Sequence, residues 1–151
     1  MFNRIVVKVL LVLAVLMLMI QVVPYGRNHS NPPGRTEPRW DSAQTRELAR
    51  RACFDCHSNE TVWPRYAQIA PISWLIQHDV DEGREKLNFS EWQRPQEESK
   101  EAAESVRKRE MPPPMYTLLH PEARLTTEER SALIQGLETT IGVEVSEGPG
   151  H

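Results

Sequence analysis

The sequence predicts a small all-α domain that follows an N-terminal membrane-spanning helix. Two observations carry this prediction. Residues 5–23 form an almost unbroken apolar run, IVVKVLLVLAVLMLMIQVV. From Trp40 onward, apolar residues recur at helical spacing, without the sustained alternation that is typical of strands. At 151 residues, the chain has room for one domain and an anchor.

The apolar run is close to the length of about 20 residues that crosses the hydrocarbon core of a bilayer. Lys8 lies near its start, where the ammonium group can reach the interface, and Pro24 ends the helix. The following exit sequence has no small-x-small cleavage site. We therefore interpret residues 1–24 as a retained signal-anchor, with a cleaved signal peptide as the alternative.

Residues 25–39 are polar and rich in Pro, Gly and Ser, which predicts a flexible linker in which His29 is solvated. The formal net charge of -3 is unevenly distributed. Residues 1–39 carry five basic residues and one acidic residue, which leaves 13 basic and 20 acidic residues in the remainder. A mildly acidic domain without a basic, aromatic-interleaved patch argues against nucleic-acid binding.

The helical domain is predicted to span residues 40–141, followed by a loose tail over 142–151. The predicted helices cover residues 42–52, 71–88, 96–109 and 127–140. Their apolar faces contain Ile72, Leu75, Ile76, Val80 and Leu87 in the second helix, Ala102, Ala103 and Val106 in the third, and Leu133, Ile134 and Leu137 in the last. These faces are thin for a domain of about 100 residues to be stable alone.

Two connecting segments have a distinctive composition. Residues 58–70 are predicted to form a loop. The segment Met111-Pro112-Pro113-Pro114-Met115 is predicted to be extended and stiff, because each proline fixes its own φ and biases its predecessor away from helix. The pattern Thr126-Thr127-Glu128-Glu129 predicts a capping box at the start of the last helix.

Both cysteines of the chain lie in Cys53-Phe54-Asp55-Cys56-His57. The spacing C-x-x-C-H is the signature of c-type haem attachment. Two thiols three positions apart on a helical turn can add to the two vinyl groups of one porphyrin, and the histidine that follows can bind the iron. We therefore expect one covalent haem c held by Cys53, Cys56 and His57, which would also supply the missing core.

Two other uses of these residues are less favoured. A thioredoxin-like dithiol would be expected in a βαβ context, which the sequence does not predict. A structural zinc site needs four ligands, whereas Cys53, Cys56 and His57 supply three at most. Covalent haem remains the leading interpretation.

The sixth iron ligand is expected among Met111, Met115, His78 and His120. Met111 stands before three prolines, and a rigid loop can hold a sulfur at the iron with little loss of entropy. Met115, at the other end of the loop, is the rival. We expect His78 on the surface and His120 at a helix boundary. Our first choice is axial ligation by His57 and Met111.

Several motifs resemble the bacterial haem-binding domain family of small membrane-tethered monohaem c-type proteins. They are C-x-x-C-H-S-N-E-T, W-P, I-A-P-I-S-W, G-R-x-x-L-N-F-S-x-W, M-P-P and L-H-P-E-A-R-L, and the resemblance covers about residues 45–140. Family members pair the motif histidine with the methionine of M-P-P, which implies His57 and Met111. The family tends to have glycine just before M-P-P and tryptophan near the end of the last helix, where this chain has Arg109-Glu110 and Gln135-Gly136.

Together these features predict an electron-transfer protein rather than an enzyme. With both axial positions filled, iron can change oxidation state without binding a substrate. Because c-type maturation takes place outside the cytoplasmic membrane in bacteria, we expect a single-pass protein of the inner membrane. Its haem domain would face the periplasm and its partners would be redox proteins. A haem-based sensor or weak peroxidase with a labile sixth ligand is the alternative.

Overall fold

A computed structural model describes residues 2–34, 36–96 and 98–146. The secondary structure of these residues is helical, apart from one isolated parallel β-bridge between Thr36 and Glu91. The predicted all-α class is therefore confirmed. The chain separates into two compact units, one drawn from residues 1–30 and 63–79 and the other from residues 31–62 and 80–151.

The first unit begins with helix α1, Phe2–Ile20. Its segment Asn3–Ile20 has a mean hydropathy of 2.4, and none of it is buried within the protein. By length and composition, this helix could cross a membrane. At its end, the Gln21 amide pairs with the backbone of Ala70. Gln21 Nε2 donates to Ala70 O over 2.9 Å, and Ala70 N donates to Gln21 Oε1 over 3.1 Å.

His29 also belongs to the first unit, and the prediction that it is solvated is wrong. Its ring stacks on Trp63, with the ring centroids 4.5 Å apart and an interplanar angle of 5°. His29 Nε2 lies 3.0 Å from Gly26 O, and Nδ1 lies 2.9 Å from Gln68 Nε2. Aromatic stacking and hydrogen bonds therefore hold a side chain that its polar sequence context suggested would face water.

The segment around these contacts consists of a 3-10 turn, Arg65–Gln68, and the beginning of helix α4, Ile72–Lys86. Residues 58–70 contain no α-helix, in agreement with the predicted loop. The observed α4 also agrees with the predicted helix over 71–88, but the residues of its predicted apolar face are not all buried. Val80 is buried, whereas Ile72 and Leu75 are exposed.

The second unit contains helices α2, Ala43–Ala52, and α3, Phe54–His57. Ser42 caps α2, since Thr45 N donates to Ser42 Oγ over 3.1 Å. Helix α5, Ala102–Arg107, follows a short 3-10 turn and is shorter than the predicted helix over 96–109.

The shortening of α5 has a physical cause. Gln96 was expected inside the helix, but its amide accepts from Asn88 N and donates to Glu91 O, each over 2.8 Å. These bonds fasten Gln96 to the preceding loop and keep it outside the helix. At the other end, Arg109 has a φ of 63°, which stops α5.

Helix α6, Pro114–Leu119, begins inside the segment that was expected to be extended. The prediction for Met111–Met115 is therefore wrong at Pro114 and Met115. Pro113 is extended, but Pro114 occupies the first helical position, where its fixed φ suits the helix and its missing N–H has no cost.

Helix α7, Thr127–Ser146, begins with the predicted capping box. Thr126 N donates to Glu129 Oε2 over 2.9 Å, and Glu129 N donates to Thr126 Oγ1 over 3.1 Å. The helix continues past residue 140 and includes residues 142–146, which were expected in a loose tail, because no proline or glycine pair interrupts it there. Residues 147–151 lie outside the described residues.

The core of the second unit is formed by α2, α5, α7 and the segments beside them. Its buried apolar side chains are Leu48, Ala49, Phe54, Leu87, Phe89, Ala103, Val106, Leu133, Leu137 and Ile141. The predicted inward faces of α5 and α7 are confirmed, with Ala102 and Ile134 partly buried at their margins.

The contact between α2 and α7 yields a stability prediction. A Cβ atom on Gly136 of α7 would lie 2.0 Å from Oγ1 and 2.8 Å from Cβ of Thr45, which is buried. We expect Gly136→Ala to lower the free energy of unfolding by about 1–3 kcal/mol, as overpacking does, although alanine favours helix.

Gly142 provides the matched control in the same helix, because a Cβ atom there meets nothing within 4 Å. Gly142→Ala should raise the free energy of unfolding by up to about 1 kcal/mol through helix propensity. Urea unfolding measures both values. Stabilisation by both substitutions would contradict the close α2–α7 contact.

Candidate functional site

The C-x-x-C-H residues form one helical turn that continues directly from α2. Cys53 N donates to Ala49 O over 2.8 Å, at the end of α2. Cys53 O then accepts from Cys56 N at 3.2 Å and from His57 N at 2.9 Å, which closes α3. The backbone therefore places both cysteines and the histidine on one compact turn, as the spacing predicted.

Phe54, between the two cysteines, fixes this turn in the core. Its side chain is buried. The centroid of its ring lies 5.7 Å from the ring centroid of Phe89 and 6.3 Å from the ring centroid of Trp40. Because a large aromatic side chain can fill such a site in few orientations, this packing also limits how the neighbouring cysteines can rotate.

His57 is oriented by the backbone at the end of α4. Its Nδ1 atom lies 3.0 Å from Gly83 O and 3.0 Å from Leu87 O. Two carbonyl acceptors require the proton on Nδ1, which leaves the lone pair of Nε2 available. Burial lowers the pKa of His57, which favours the neutral imidazole. A neutral ring whose far nitrogen is held by a carbonyl is the arrangement of a metal-binding histidine.

Gly83 makes this arrangement possible. The helical turn formed by residues 53–57 is called the attachment turn below. A Cβ atom at Gly83 would lie 2.6 Å from Cys56 O, so only glycine lets α4 approach the attachment turn this closely. Sequence reasoning missed the role of Gly83 and Leu87, because they act through backbone carbonyls. A glycine inside a helical pattern was the one available signal.

Cys53 and Cys56 form no disulfide bond, and each is half-buried. Burial raises the pKa of the Cys53 thiol to about 12, and the neighbouring Cys56 contributes to the shift. The thiol is therefore neutral at ordinary pH. Within the part of the chain that the structure describes, no three His, Cys, Asp or Glu side chains are grouped in a way that could hold a metal ion.

Beside the turn lies a cleft of about 60 Å³ that brings Cys53, His57 and Met111 together. Its other lining residues are Ala52, Leu87, Phe89, Glu98, Ala102, Ser105, Val106 and Leu137. Cys56, predicted with Cys53 to hold the haem, does not line it, and neither do Met115, His78 and His120. Met111 is 37% exposed and Met115 is 73% exposed. The structure thus places the first-choice methionine, and not its rival, at the cleft.

The residues that line the cleft have chemical properties that suit a haem. An imidazole nitrogen, a thioether and a thiol face walls that are mostly apolar, which matches the donors and the environment of a haem iron. Ligand pockets usually hold about 300–1,000 Å³, so the cleft must widen to admit a porphyrin.

The turn before Met111 has an unusual backbone. Arg109 adopts a φ of 63°, a left-handed conformation that favours glycine and costs other residues about 1–2 kcal/mol. Beyond it, the N–H groups of Glu110 and Met111 both donate to Ser105 O, at 3.0 Å and 3.2 Å. Arginine therefore adopts a left-handed conformation just before M-P-P, where the resemblance led us to expect glycine, and Met111 still lines the cleft.

A network of hydrogen bonds, partly buried in the protein, holds the residues that directly follow the attachment turn. Asn59 N donates to Ser90 Oγ over 3.0 Å, Asn88 Nδ2 donates to Asn59 Oδ1 over 2.9 Å, and Ser90 N donates to Asn88 Oδ1 over 2.9 Å. Arg84 Nε donates to Ser58 O over 2.9 Å. These contacts explain why S-N and L-N-F-S occur as motifs, a role that sequence reasoning had not assigned.

Tyr116 fastens α6 to the attachment turn. Its hydroxyl donates to Asp55 Oδ2 over 2.6 Å, while Asp55 Oδ1 accepts from Val62 N over 2.9 Å. Burial raises the pKa of Tyr116 well above its ordinary value, and the bond to Asp55 adds to the shift. The phenol therefore remains a donor, and it links the Met111 segment to the residue between the two cysteines.

Comparison with known proteins now identifies the family. The haem-binding domain family matches residues 15–139, which is most of the chain. The chain belongs to this family and is a haem-binding protein, which confirms the resemblance found in the sequence. No curated protein and no solved structure was found to match the chain.

The Tyr116–Asp55 bond yields a second prediction. A hydrogen bond to a charged group contributes about 1.5–3 kcal/mol, so Tyr116→Phe should lower the free energy of unfolding by a similar amount. In a double-mutant cycle with Asp55→Asn, urea unfolding should give a coupling energy of about 1–3 kcal/mol. Strictly additive effects would show that this bond does not hold α6 to the turn.

Proposed function

We propose that this protein is a monohaem c-type cytochrome that transfers electrons at the outer face of the bacterial cytoplasmic membrane. The observation that carries the proposal is the cleft at which Cys53, His57 and Met111 meet. In this proposal, Cys53 and Cys56 would hold one haem c covalently, and His57 and Met111 would bind its iron. When bound, the haem supplies a one-electron redox centre.

The two cysteines suit covalent attachment. Neither is in a disulfide bond, and they lie on the same helical turn with His57. The packed ring of Phe54 restrains the segment between them. A turn that is already ordered loses little conformational entropy when it reacts at two points, which would favour thioether formation by both cysteines.

The ligands are positioned by different parts of the second unit. His57 is held through Nδ1 by the carbonyls of Gly83 and Leu87, which also makes Nε2 more basic. Met111 is held by its backbone bond to Ser105. A thioether ligand raises the reduction potential. If His57 and Met111 both bound the iron, no position would remain on it for a substrate, which would favour electron transfer over catalysis.

The membrane location is supported by α1. In this proposal it remains uncleaved and crosses the inner membrane once, with the haem domain on the periplasmic side, where c-type maturation takes place. An anchor of this kind confines the domain near redox proteins of the same membrane and raises their effective concentration.

A second candidate function is a haem-based sensor or weak peroxidase. Two observations favour it: Met111 is 37% exposed, and the turn before it contains Arg109 at a φ of 63°. If these features make the thioether labile, an external ligand can take its place on the iron.

The axial ligand can be tested spectroscopically. We expect the ferric protein to show the weak near-infrared sulfur-to-iron band. Met111→Ala should abolish the band, lower the reduction potential and allow ferrous protein to bind carbon monoxide. Met115→Ala is the matched control, since Met115 is 73% exposed and outside the cleft lining, and it should leave all three properties unchanged.

Two results would count against the proposal. Loss of the band in Met115→Ala instead would show that the ligand assignment is wrong. High-spin iron that binds carbon monoxide readily in the unmodified protein would favour the sensor or peroxidase over electron transfer.

A further inference from the structure

The first half of α4 has an inverted pattern of burial. Ser73 is completely buried, whereas Ile72 is 45% exposed and Leu75 is 61% exposed. Ile69, just before the helix, is 54% exposed. A helix on the surface of a water-soluble domain normally buries its apolar face and exposes its polar one. The three exposed aliphatic side chains, which we call the Ile69–Leu75 patch, therefore lack the covering expected in water.

The patch is fastened to the end of α1. Ala70, next to Ile69, makes the two hydrogen bonds with the Gln21 amide described above. Ser73 Oγ also donates to Tyr25 O over 3.4 Å. At Gly26, a Cβ atom would lie 2.1 Å from Ser73 O, so the chain that leaves α1 runs directly against the start of α4. The patch therefore continues the apolar surface of α1 within the same unit.

The composition of this region is that of a membrane interface. Residues 63–78 contain no acidic residue and one basic residue, Arg65, although residues 40–151 as a whole are acidic. Trp63, Tyr66 and Trp74 lie in the same stretch, and Tyr25 follows α1. Tryptophan and tyrosine are enriched at membrane–water interfaces, and a stretch without carboxylates avoids repulsion by anionic lipids.

We propose that the Ile69–Leu75 patch inserts into the surface of the lipid bilayer beside the exit of α1. This inference rests on the proposed anchoring by α1 and deepens it. The first unit would then have two membrane contacts: a spanning helix, and an interfacial segment whose aliphatic side chains enter the boundary between headgroups and acyl chains. The buried Ser73 side would remain against the chain that leaves α1.

Photolabelling tests this contact in the full-length haem-loaded protein. The protein is reconstituted into vesicles of phosphatidylethanolamine and phosphatidylglycerol that contain a lipid with a diazirine on its acyl chain. After illumination, trypsin releases residues 66–84, which contain the patch, and residues 9–27, which contain most of α1. Mass spectrometry should find lipid adducts on both peptides.

A matched pair of variants locates the contact. The double variant Ile72→Gln and Leu75→Gln should reduce labelling of peptide 66–84 several-fold and leave peptide 9–27 unchanged. His78→Gln, an exposed polar substitution in the same peptide, should leave both peptides labelled as before. Labelling of 9–27 without 66–84, or undiminished labelling in the double variant, overturns the interfacial patch but retains the anchor. Absence of label from both peptides overturns the anchoring proposal and the patch with it.

Discussion

The hydrogen bonds from His57 Nδ1 to Gly83 O and Leu87 O, each at 3.0 Å, are the constraint on which the site depends. The last carbonyls of a helix have no partners within the helix and carry partial negative charge. Here Gly83 O accepts from Leu87 N over 3.0 Å and also from His57 Nδ1, and Leu87 O, just beyond α4, accepts from the same ring nitrogen. The two carbonyls together fix the tautomer of the histidine. They also direct the second ring nitrogen away from α4.

The surrounding residues make this contact rigid. Because Gly83 has no side chain, α4 can lie directly against Cys56. Phe54, in the same turn, packs against Phe89. The network through Asn59 and Asn88 is buried, where satisfied hydrogen bonds are strong and a missing partner is costly. These contacts hold the ring of His57 in place before a ligand enters, although the cleft beside it must widen.

The parts of the structure that follow from local chemistry could be predicted from the sequence. The C-x-x-C-H turn, the capping box at Thr126 and the apolar α1 each depend on a few neighbouring residues. The start of α6 at Pro114 was missed because proline is compatible both with an extended backbone and with the first position of a helix. The carbonyls that hold His57 leave no side-chain pattern, so only the folded chain reveals them.

The direction of the α4 apolar face could not be predicted for a different reason. The predicted stripe grouped Ile72 and Leu75 with Val80, but at 3.6 residues per turn Leu75 and Val80 lie about 140° apart around the helix axis. In the structure Val80 is buried and Ile72 and Leu75 are exposed. Ser73, seven residues before Val80 and therefore on the same side of the helix, is also buried, so the buried face of α4 contains a serine that an apolar pattern does not reveal.

Covalent haem on the attachment turn is the central claim, and peptide mapping tests it most directly. Protein made in a host competent for c-type maturation is digested with trypsin, which releases residues 52–65 with both cysteines and His57. We expect this peptide to carry the mass and the visible absorbance of one haem after denaturation, and to lose both in the Cys53→Ser and Cys56→Ser double variant. Recovery of the unmodified peptide with two free thiols from such a host would contradict the claim.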